Sequence, residues 1–168
     1  MIAGGGHIVQ ISSMAGHYSI PGMGLYCSSK WAVEGAFEAL AKEVAPFNIK
    51  TIMVEPGGIR TNFITSNAVF GERMDEYRDT EAGQFVSLMM GELPVDMSMF
   101  NQMVVGDPDK MAQQIIRRVD QGEGPLRIAL GSDAYEQIRA ALLDRLAALE
   151  AQKELAYSTD SDDVVKPF

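Results

Sequence analysis

A chain of 168 residues is long enough for one domain with a hydrophobic core and too short for two domains of ordinary size. Its net charge of −9 at pH 7 argues against binding to a nucleic-acid backbone, and no apolar run approaches the roughly 18 residues of a membrane span. Because it has a single cysteine, Cys27, and no signal-peptide pattern at its N-terminus, we expect a cytoplasmic protein that binds neither nucleic acid nor a membrane.

The first third of the chain predicts a strand, a helix and a second strand. Residues 7–12 (HIVQIS) are short, rich in β-branched residues and bounded by glycine and serine, as in a buried strand. A loop over 13–24 and a helix over 25–45 follow, and Pro46 ends the helix. The stripe that we expect to pack inward consists of Tyr26, Lys30, Val33, Phe37, Leu40 and Val44. Residues 49–54 (IKTIMV) predict a second buried strand, parallel to the first.

Tyr26 and Lys30 lie one turn above each other on the same face of the predicted helix. A phenol with a pKa near ~10 is mostly protonated at neutral pH, and a nearby ammonium group favours its phenolate form. Tyr26 can then exchange a proton with an alcohol or a developing alkoxide. Ser13 directly follows the first strand, where its hydroxyl can hydrogen-bond the same substrate oxygen. Because ligands bind beyond the carboxyl ends of parallel strands, we expect Ser13 and the Pro56–Gly57 turn to face one crevice.

The patterns beyond residue 61 are weak at first and clear later. Residues 62–105 contain few clean periods, with room for one or two short helices within 73–90. Asp107 and Pro108 predict the start of a helix, the aspartate as its N-cap and the proline at its first position, and Gly122 ends it. This helix is the most strongly delimited element of the second half.

A third buried strand is predicted over 126–130, and Ser132 is expected to cap a final helix. The apolar face of that helix consists of Tyr135, Ile138, Leu142, Leu146 and Leu149. The sequence becomes polar and acidic near its end, so we expect a mobile tail over 157–168. Residues 1–156 are expected to form part of a single domain.

Several side chains allow a second interpretation. His17 can touch a substrate, but we expect a loop histidine that faces solvent. Cys27 is expected to be a small helix residue, because no histidine is placed to activate its thiol. The same lack argues against a hydrolase that uses Ser13, and no metal-ligand spacing is evident. The methionine-rich stretch is interpreted as core, with packing against an apolar substrate as the alternative, and it consists of Met89, Met90, Met97, Met99 and Met103.

Three segments together resemble the short-chain dehydrogenase/reductase family: 11–16 (ISSMAG), Tyr26-x-x-x-Lys30 and 56–61 (PGGIRT). Their order and spacing match the family pattern throughout. The resemblance implies an α/β fold, part of a doubly wound, Rossmann-like parallel sheet with three strands and flanking helices. It also implies an NAD(P)-dependent oxidoreductase that interconverts a carbonyl and a secondary alcohol by hydride transfer, and hence a small-molecule substrate.

The resemblance further implies a role for individual residues. Ser13 would orient the substrate oxygen, Tyr26 would be the general acid/base, and Lys30 would lower the tyrosine pKa and hydrogen-bond the ribose of the cofactor. Residues 62–105 would form a substrate lid. The implied cofactor-binding residues are Tyr26, Lys30, Pro56, Gly57, Ile59 and Thr61.

The resemblance covers nearly the whole chain but only the second half of the family pattern. The glycine-rich turn that cradles the pyrophosphate has no counterpart, because the glycines at 4–6 precede a strand instead of following one. We therefore expect a chain truncated at its N-terminus, with little or no turnover by residues 1–168 alone. The position that selects NAD or NADP is also missing, so the resemblance implies either cofactor. The alternative is an inactive fragment or a non-catalytic oligomerising partner.

The helix that carries Tyr26 commonly meets another subunit in this family, so the resemblance implies a homo-oligomer for the full-length protein. Small residues on that helix permit close approach of a second helix, although an ordinary helix can also carry them: Ala32, Gly35, Ala36 and Ala39. The outer edge of the strand at 7–12 would be unpaired in a truncated chain, which predicts self-association.

Overall fold

The structure, a computed structural model, describes residues 5–61, 63, 68–94, 102, 104–161 and 163. Its strands are β1 (Gly6–Ile11), β2 (Ile49–Pro56) and β3 (Arg127–Leu130). Its helices are α1 (Gly24–Val44), α2 (Glu81–Met89), α3 (Pro108–Gln121), α4 (Ser132–Glu150) and α5 (Lys153–Tyr157). Single turns of 3₁₀ helix occur at Met14–Gly16, Ala45–Phe47 and Asp75–Tyr77.

The three strands form one parallel sheet in the order β1-β2-β3. The central strand β2 supplies the core, since Ile52, Met53 and Val54 are at most 1% exposed. In the register of β1 and β2, Ile11 lies opposite Val54. The residues just beyond the two strands therefore emerge at the same, carboxyl edge of the sheet. This confirms the predicted α/β fold with three parallel strands and flanking helices.

Helix α1 begins and ends within one residue of the predicted bounds. The 3₁₀ turn that follows it contains Pro46, which has no backbone N–H to continue the helix. The predicted inward stripe is half-buried along its length, whereas the fully buried residues of α1 are Cys27 and Glu34. The face of α1 that packs inward is therefore the one that contains Cys27. The small side chain of Cys27 lets the helix pack close to the sheet. Cys27 is a buried free cysteine, in agreement with its interpretation as a small helix residue.

Helix α3 follows its sequence signals at both ends. The Asp107 carboxylate accepts hydrogen bonds from the backbone N–H groups of Asp109 and Lys110, at 3.0 and 3.1 Å. Gly122 ends the helix in the left-handed region, with φ of 70°.

The start of α4 was predicted one residue too late. Gly131 occupies the N-cap position with φ of 112°, and Ser132 is the first helical residue, without a capping hydrogen bond. The backbone angle explains the difference, because a side chain is strained at such a positive φ and glycine is not.

The predicted apolar face of α4 is buried only at its start. Ile138 is 8% exposed, whereas Tyr135, Leu142, Leu146 and Leu149 are each about half exposed or more. Element length gives the reason. The four residues of β3 span about 13 Å, and the nineteen residues of α4 span about 28 Å, so most of the helix extends past the strand it packs against.

Within the described residues of the region predicted as a lid lie α2 and the 3₁₀ turn Asp75–Tyr77, consistent with one or two short helices over 73–90. Of its methionines, Met89 is half-buried and Met90 is 42% exposed, so neither is a core residue. Met97, Met99 and Met103 lie outside the described residues. Among the residues that the structure describes, no helix has the length and apolar content to cross a membrane.

The predicted acidic tail at 157–168 lies largely outside the described residues, which end with 161 and 163. The division into a domain over 1–156 and a tail stays a prediction.

Candidate active site

Ser13 lies directly beyond the carboxyl end of β1, as predicted. It is 7% exposed and caps the 3₁₀ turn Met14–Gly16, with its hydroxyl oxygen accepting a hydrogen bond from the Ala15 N–H at 3.1 Å. This contact fixes the position of the Ser13 oxygen and leaves its own O–H free to donate.

Tyr26 and Lys30 come together in the first two turns of α1. The Lys30 Nζ atom lies 5.7 Å from the centroid of the Tyr26 ring, within the range of a cation–π interaction. The ring of Phe63 packs against the Tyr26 ring at a centroid distance of 5.9 Å and an interplanar angle of 45°. Tyr26 is therefore in contact with both a cation and an aromatic ring.

Lys30 is also tied to the sheet. Its Nζ atom donates a hydrogen bond to the carbonyl oxygen of Ile11, the last residue of β1, at 3.2 Å. Burial lowers the pKa of Lys30, and the negative charge of Glu34, one helical turn further along, opposes this shift. The structure thus places Lys30 between Tyr26 and the strand that leads to Ser13. No hydrogen bond joins Ser13 to Tyr26 in the part of the chain that is described.

The turn after β2 is held against β3 and α4. Beyond Pro56, the Gly57 N–H donates to the Leu130 carbonyl at 3.0 Å. The Gly58 N–H donates to Oδ2 of Asp133, in the first turn of α4, at 2.6 Å. These bonds continue the pairing of β2 with β3 past the end of the sheet.

The other side of this turn is bound to the chain before α3. Ile59 forms a parallel bridge with Gly106, and the Arg60 N–H donates to the Gly106 carbonyl at 2.9 Å. The Arg60 guanidinium donates to the Val104 carbonyl through Nε, also at 2.9 Å. The Thr61 N–H donates to the Ile59 carbonyl at 2.7 Å. Of the implied cofactor-contacting residues, Pro56, Gly57, Ile59 and Thr61 therefore occupy one well-braced turn at the carboxyl edge of the sheet, while Tyr26 and Lys30 lie on α1.

A network of charged side chains lies beside the site. His17 Nε2 is 2.9 Å from Oε1 of Glu55, which is 3% exposed. Arg127 bonds Glu34 through Nε at 2.9 Å and Glu38 through a terminal nitrogen at 2.7 Å, and its Nε lies 3.4 Å from Glu55. Burial lowers the pKa of Arg127, but its bonds to Glu38 and Glu34 outweigh this effect and raise it. The prediction that His17 faces solvent is wrong, because its side chain is paired with the buried Glu55.

One ligand atom each from His17, Glu34 and Glu55 lies within 4.8 Å of the others, a spacing that a metal ion could use. The Arg127 guanidinium already supplies positive charge to both carboxylates. A divalent cation placed there would be repelled by it, so we interpret the group as an ion-pair network.

Two residues near the site were not singled out from the sequence: Tyr18 and Asp133. Burial raises the pKa of Tyr18, and the negative charge of Asp133 adds to the shift, with smaller contributions from Cys27 and Tyr26. Tyr18 thus belongs to the same cluster as Tyr26. The sequence does contain a signal for Asp133, which is an acidic residue in the first turn of the helix after the third predicted strand. Because parallel strands end at the same edge of the sheet, such a residue is expected to lie near the turn after β2.

A groove of about 250 Å³ lies between the loop before α1 and the lid region. Gly22, four residues before Tyr26, forms one wall of this groove. The other lining residues include both apolar and charged side chains, among them Phe70, Arg73, Met74, Tyr77 and Val86. Its position makes it a candidate for substrate contact.

Comparison with known proteins gives consistent matches. A family model described as short chain dehydrogenase matches residues 1–69. The chain is 34% identical over 154 residues to the oxidoreductase BOA17 of Botryotinia fuckeliana, an alignment that covers 92% of this chain and 53% of that protein.

Solved structures agree with this result. The crystal structure of a short-chain dehydrogenase from Streptomyces avermitilis is 36% identical with a TM-score of 0.73, and the match covers 92% of this chain and 53% of the other. A short chain dehydrogenase from Burkholderia cenocepacia, solved in complex with NADP, is 20% identical with a TM-score of 0.52, over 90% of this chain and 48% of that one. The second match shows the fold alone. The chain spans about half the length of each of these proteins.

Proposed function

The chain belongs to the short-chain dehydrogenase/reductase family, and on that premise we propose that it acts as an NAD(P)-dependent oxidoreductase that interconverts a carbonyl and a secondary alcohol. One observation carries the proposal. Tyr26 and Lys30 share the first two turns of α1, with Nζ 5.7 Å from the phenol ring, beside the end of the strand that leads to Ser13. A phenol, an ammonium group and a hydroxyl at the carboxyl edge of a parallel sheet suit proton transfer to and from a substrate oxygen.

Each of the three residues has a distinct part in this proposal. Ser13 donates its O–H to the substrate oxygen, because the bond from the Ala15 N–H holds its oxygen in place without using that hydrogen. Tyr26 gives a proton to the forming alkoxide in reduction, or takes one from the alcohol in oxidation. The charge on Lys30 stabilises negative charge on the Tyr26 oxygen. The nicotinamide supplies the hydride chemistry when it is bound.

The residues present fit the nicotinamide-ribose end of a dinucleotide. Lys30 has three N–H donors and uses one of them on Ile11, which leaves two for ribose hydroxyls. The turn that contains Pro56, Gly57, Ile59 and Thr61 lies at the same edge of the sheet as Ser13 and would contact the nicotinamide. We propose NAD or NADP as the cofactor of this chain, as the family resemblance implies.

We also propose a cytoplasmic homo-oligomer that meets its partner through α1, as the family resemblance implies. The small residues Gly35, Ala36 and Ala39 are exposed on that helix and permit close approach. Sedimentation equilibrium of the purified chain tests this arrangement, and a strictly monomeric chain at high concentration would contradict it.

Transfer of deuterium tests the proposed reaction directly. The chain at high concentration is incubated with deuterated NADH or NADPH and a panel of ketones, and the product alcohols are analysed for label by mass spectrometry. We expect slow transfer that falls at least about 100-fold in Ser13→Ala and is unchanged in Ser28→Ala, an exposed position on α1. Transfer by Ser13→Ala equal to that of the wild-type chain would contradict the proposal.

A further inference from the structure

We infer that Asp133 is a positioning residue whose carboxylate fixes Gly58, and with it the turn at 56–61 that would contact the nicotinamide. The inference deepens the proposed function and rests on it for its catalytic meaning. Its structural part concerns only the hydrogen bond between α4 and the turn, which can be measured without a cofactor.

The hydrogen bond itself is the first support. The Gly58 N–H donates to Oδ2 of Asp133 at 2.6 Å, short for a nitrogen donor and typical of a charged acceptor. The two residues are 75 positions apart, so the bond joins the end of β2 to the start of α4. It acts on the backbone of the turn and leaves the side chains beside it unaffected.

The shape of the turn around the carboxylate is the second support. A Cβ atom added at Gly57 would overlap both carboxylate oxygens of Asp133, and one added at Gly131 would overlap Oδ1. The carboxylate therefore occupies the space that a side chain at either position would need. A side chain at position 57 would displace the Asp133 carboxylate, so the packing of the two residues is coupled.

A role for Asp133 that is limited to stabilising the start of α4 explains fewer of these observations. Acids in the first turn of a helix stabilise it through the helix dipole, and Asp133 is the second residue of α4. However, Oδ2 is directed at Gly58, and α4 has no side-chain cap. Oδ1 is buried without a hydrogen-bond partner among the described residues. Leaving a carboxylate oxygen unpaired costs stability, which argues that the position serves the turn more than the helix.

Hydrogen exchange at Gly58 tests the positioning role. Amide exchange is measured by NMR in the wild-type chain, in Asp133→Ala, in Asp133→Asn and in Asp144→Ala, an exposed acid on the same helix. We expect exchange at Gly58 to accelerate at least about ten-fold in Asp133→Ala. We expect a smaller acceleration in Asp133→Asn, whose neutral amide oxygen accepts the bond more weakly than a carboxylate does, and none in Asp144→Ala. If the alanine variant does not fold, Asp133→Ser removes the carboxylate and keeps a polar residue at the start of α4.

Cofactor affinity provides the functional readout. Titration with NADPH and NADH is expected to give about ten-fold weaker binding in Asp133→Ala and near wild-type binding in Asp133→Asn. Unchanged exchange at Gly58 in the alanine variant, or equal acceleration in both variants, would overturn the inference. Faster exchange with unchanged cofactor affinity would overturn it too, because the bond would then be structural only. If the wild-type chain binds neither cofactor, the proposed function fails, while the exchange data still decide whether Asp133 holds the turn.

Discussion

The amine of Lys30 donates a hydrogen bond to the carbonyl oxygen of Ile11 at 3.2 Å, which joins the first turns of α1 to the last residue of β1. Two residues beyond Ile11 lies Ser13, and one turn before Lys30 lies Tyr26. This contact therefore links the elements that carry all three candidate catalytic residues. Because the contact uses a backbone carbonyl, it does not depend on the identity of the side chain at position 11.

The hydroxyl of Tyr26 is the proposed proton donor and acceptor, and Tyr26→Phe removes that hydroxyl alone. General acid–base catalysis contributes about 10²–10⁴-fold to a rate, so we expect label transfer from the deuterated cofactor to fall by at least about 100-fold. Tyr135→Phe, an exposed tyrosine on α4, serves as the control and is expected to keep the wild-type rate. Comparable transfer by the Tyr26 variant would exclude Tyr26 as the acid/base.

The positive charge of Arg127 offsets the negative charges of the carboxylates in the network beside the site. Arg127→Ala leaves Glu34 and Glu55, which are 6% and 3% exposed, without their cationic partner. Loss of one partner from a buried ion pair is strongly destabilising, and the partial exposure of Arg127 reduces the effect. We expect the free energy of unfolding in urea to fall by about 2–3 kcal/mol.

Lys42→Ala is the matched control for that substitution. Lys42 pairs with Glu38 on the exposed surface of α1, with the lysine side chain 77% exposed, and such pairs contribute about 0–1 kcal/mol. An equal loss of unfolding free energy in the two variants would show that the buried network around Arg127 stabilises the fold no more than an exposed ion pair does.

The bond from Arg127 to Glu38 predicts a dependence of stability on pH. Hydrogen bonding to Arg127 holds the pKa of Glu38 below its usual value, with the charges of Arg127 and Lys42 adding to the effect. A carboxyl group with a lowered folded-state pKa stabilises the fold above its unfolded-state pKa, near ~4.3, and this contribution is lost as pH falls through the lower folded value. We expect thermal unfolding temperatures to fall less steeply below about pH 5 in Glu38→Gln than in the wild type. If the unfolding temperatures of Glu38→Gln and the wild type fall equally steeply with pH, this pH dependence does not come from Glu38.

The overlap between Gly57 and Asp133 predicts coupling in a double-mutant cycle. Gly57→Ala inserts a methyl group into the space of the carboxylate, so we expect it to lower the free energy of unfolding by about 1–3 kcal/mol. The cost should be clearly smaller in an Asp133→Ala background, where the space is open. Urea unfolding of the wild type, both single variants and the double variant measures it. Equal costs in the two backgrounds would show that the residues are independent.

The elements that the sequence predicts well are those with local signals. Helix α3 begins at the Asp107 cap and ends at Gly122 as expected, because capping is decided within a few residues. The bounds of α1 and the three parallel strands follow from apolar periodicity and breakers in the same way. The prediction that the first and third strands are buried is wrong, because the residues of β1 and β3 are exposed or half-buried.

The features that the sequence does not predict join distant segments. His17 and Glu55 are 38 positions apart, and Arg127 and Glu34 are 93 apart, so each pair becomes apparent only once the strands are aligned. The partial exposure of α4 has a similar origin. Periodicity identifies its apolar face through residues such as Leu146, but not how far β3 extends beneath it.

Binding of the nicotinamide cofactor by Lys30 is the central claim, and a fluorescence titration of the purified chain with NADH and NADPH tests it most directly. We predict saturable binding of at least one of the two, weakened at least about ten-fold in Lys30→Ala because a charged hydrogen-bond donor is lost. Lys42→Ala, on the same helix and exposed, should bind like the wild type. No saturation at millimolar cofactor, or equal affinity in Lys30→Ala, would contradict the account.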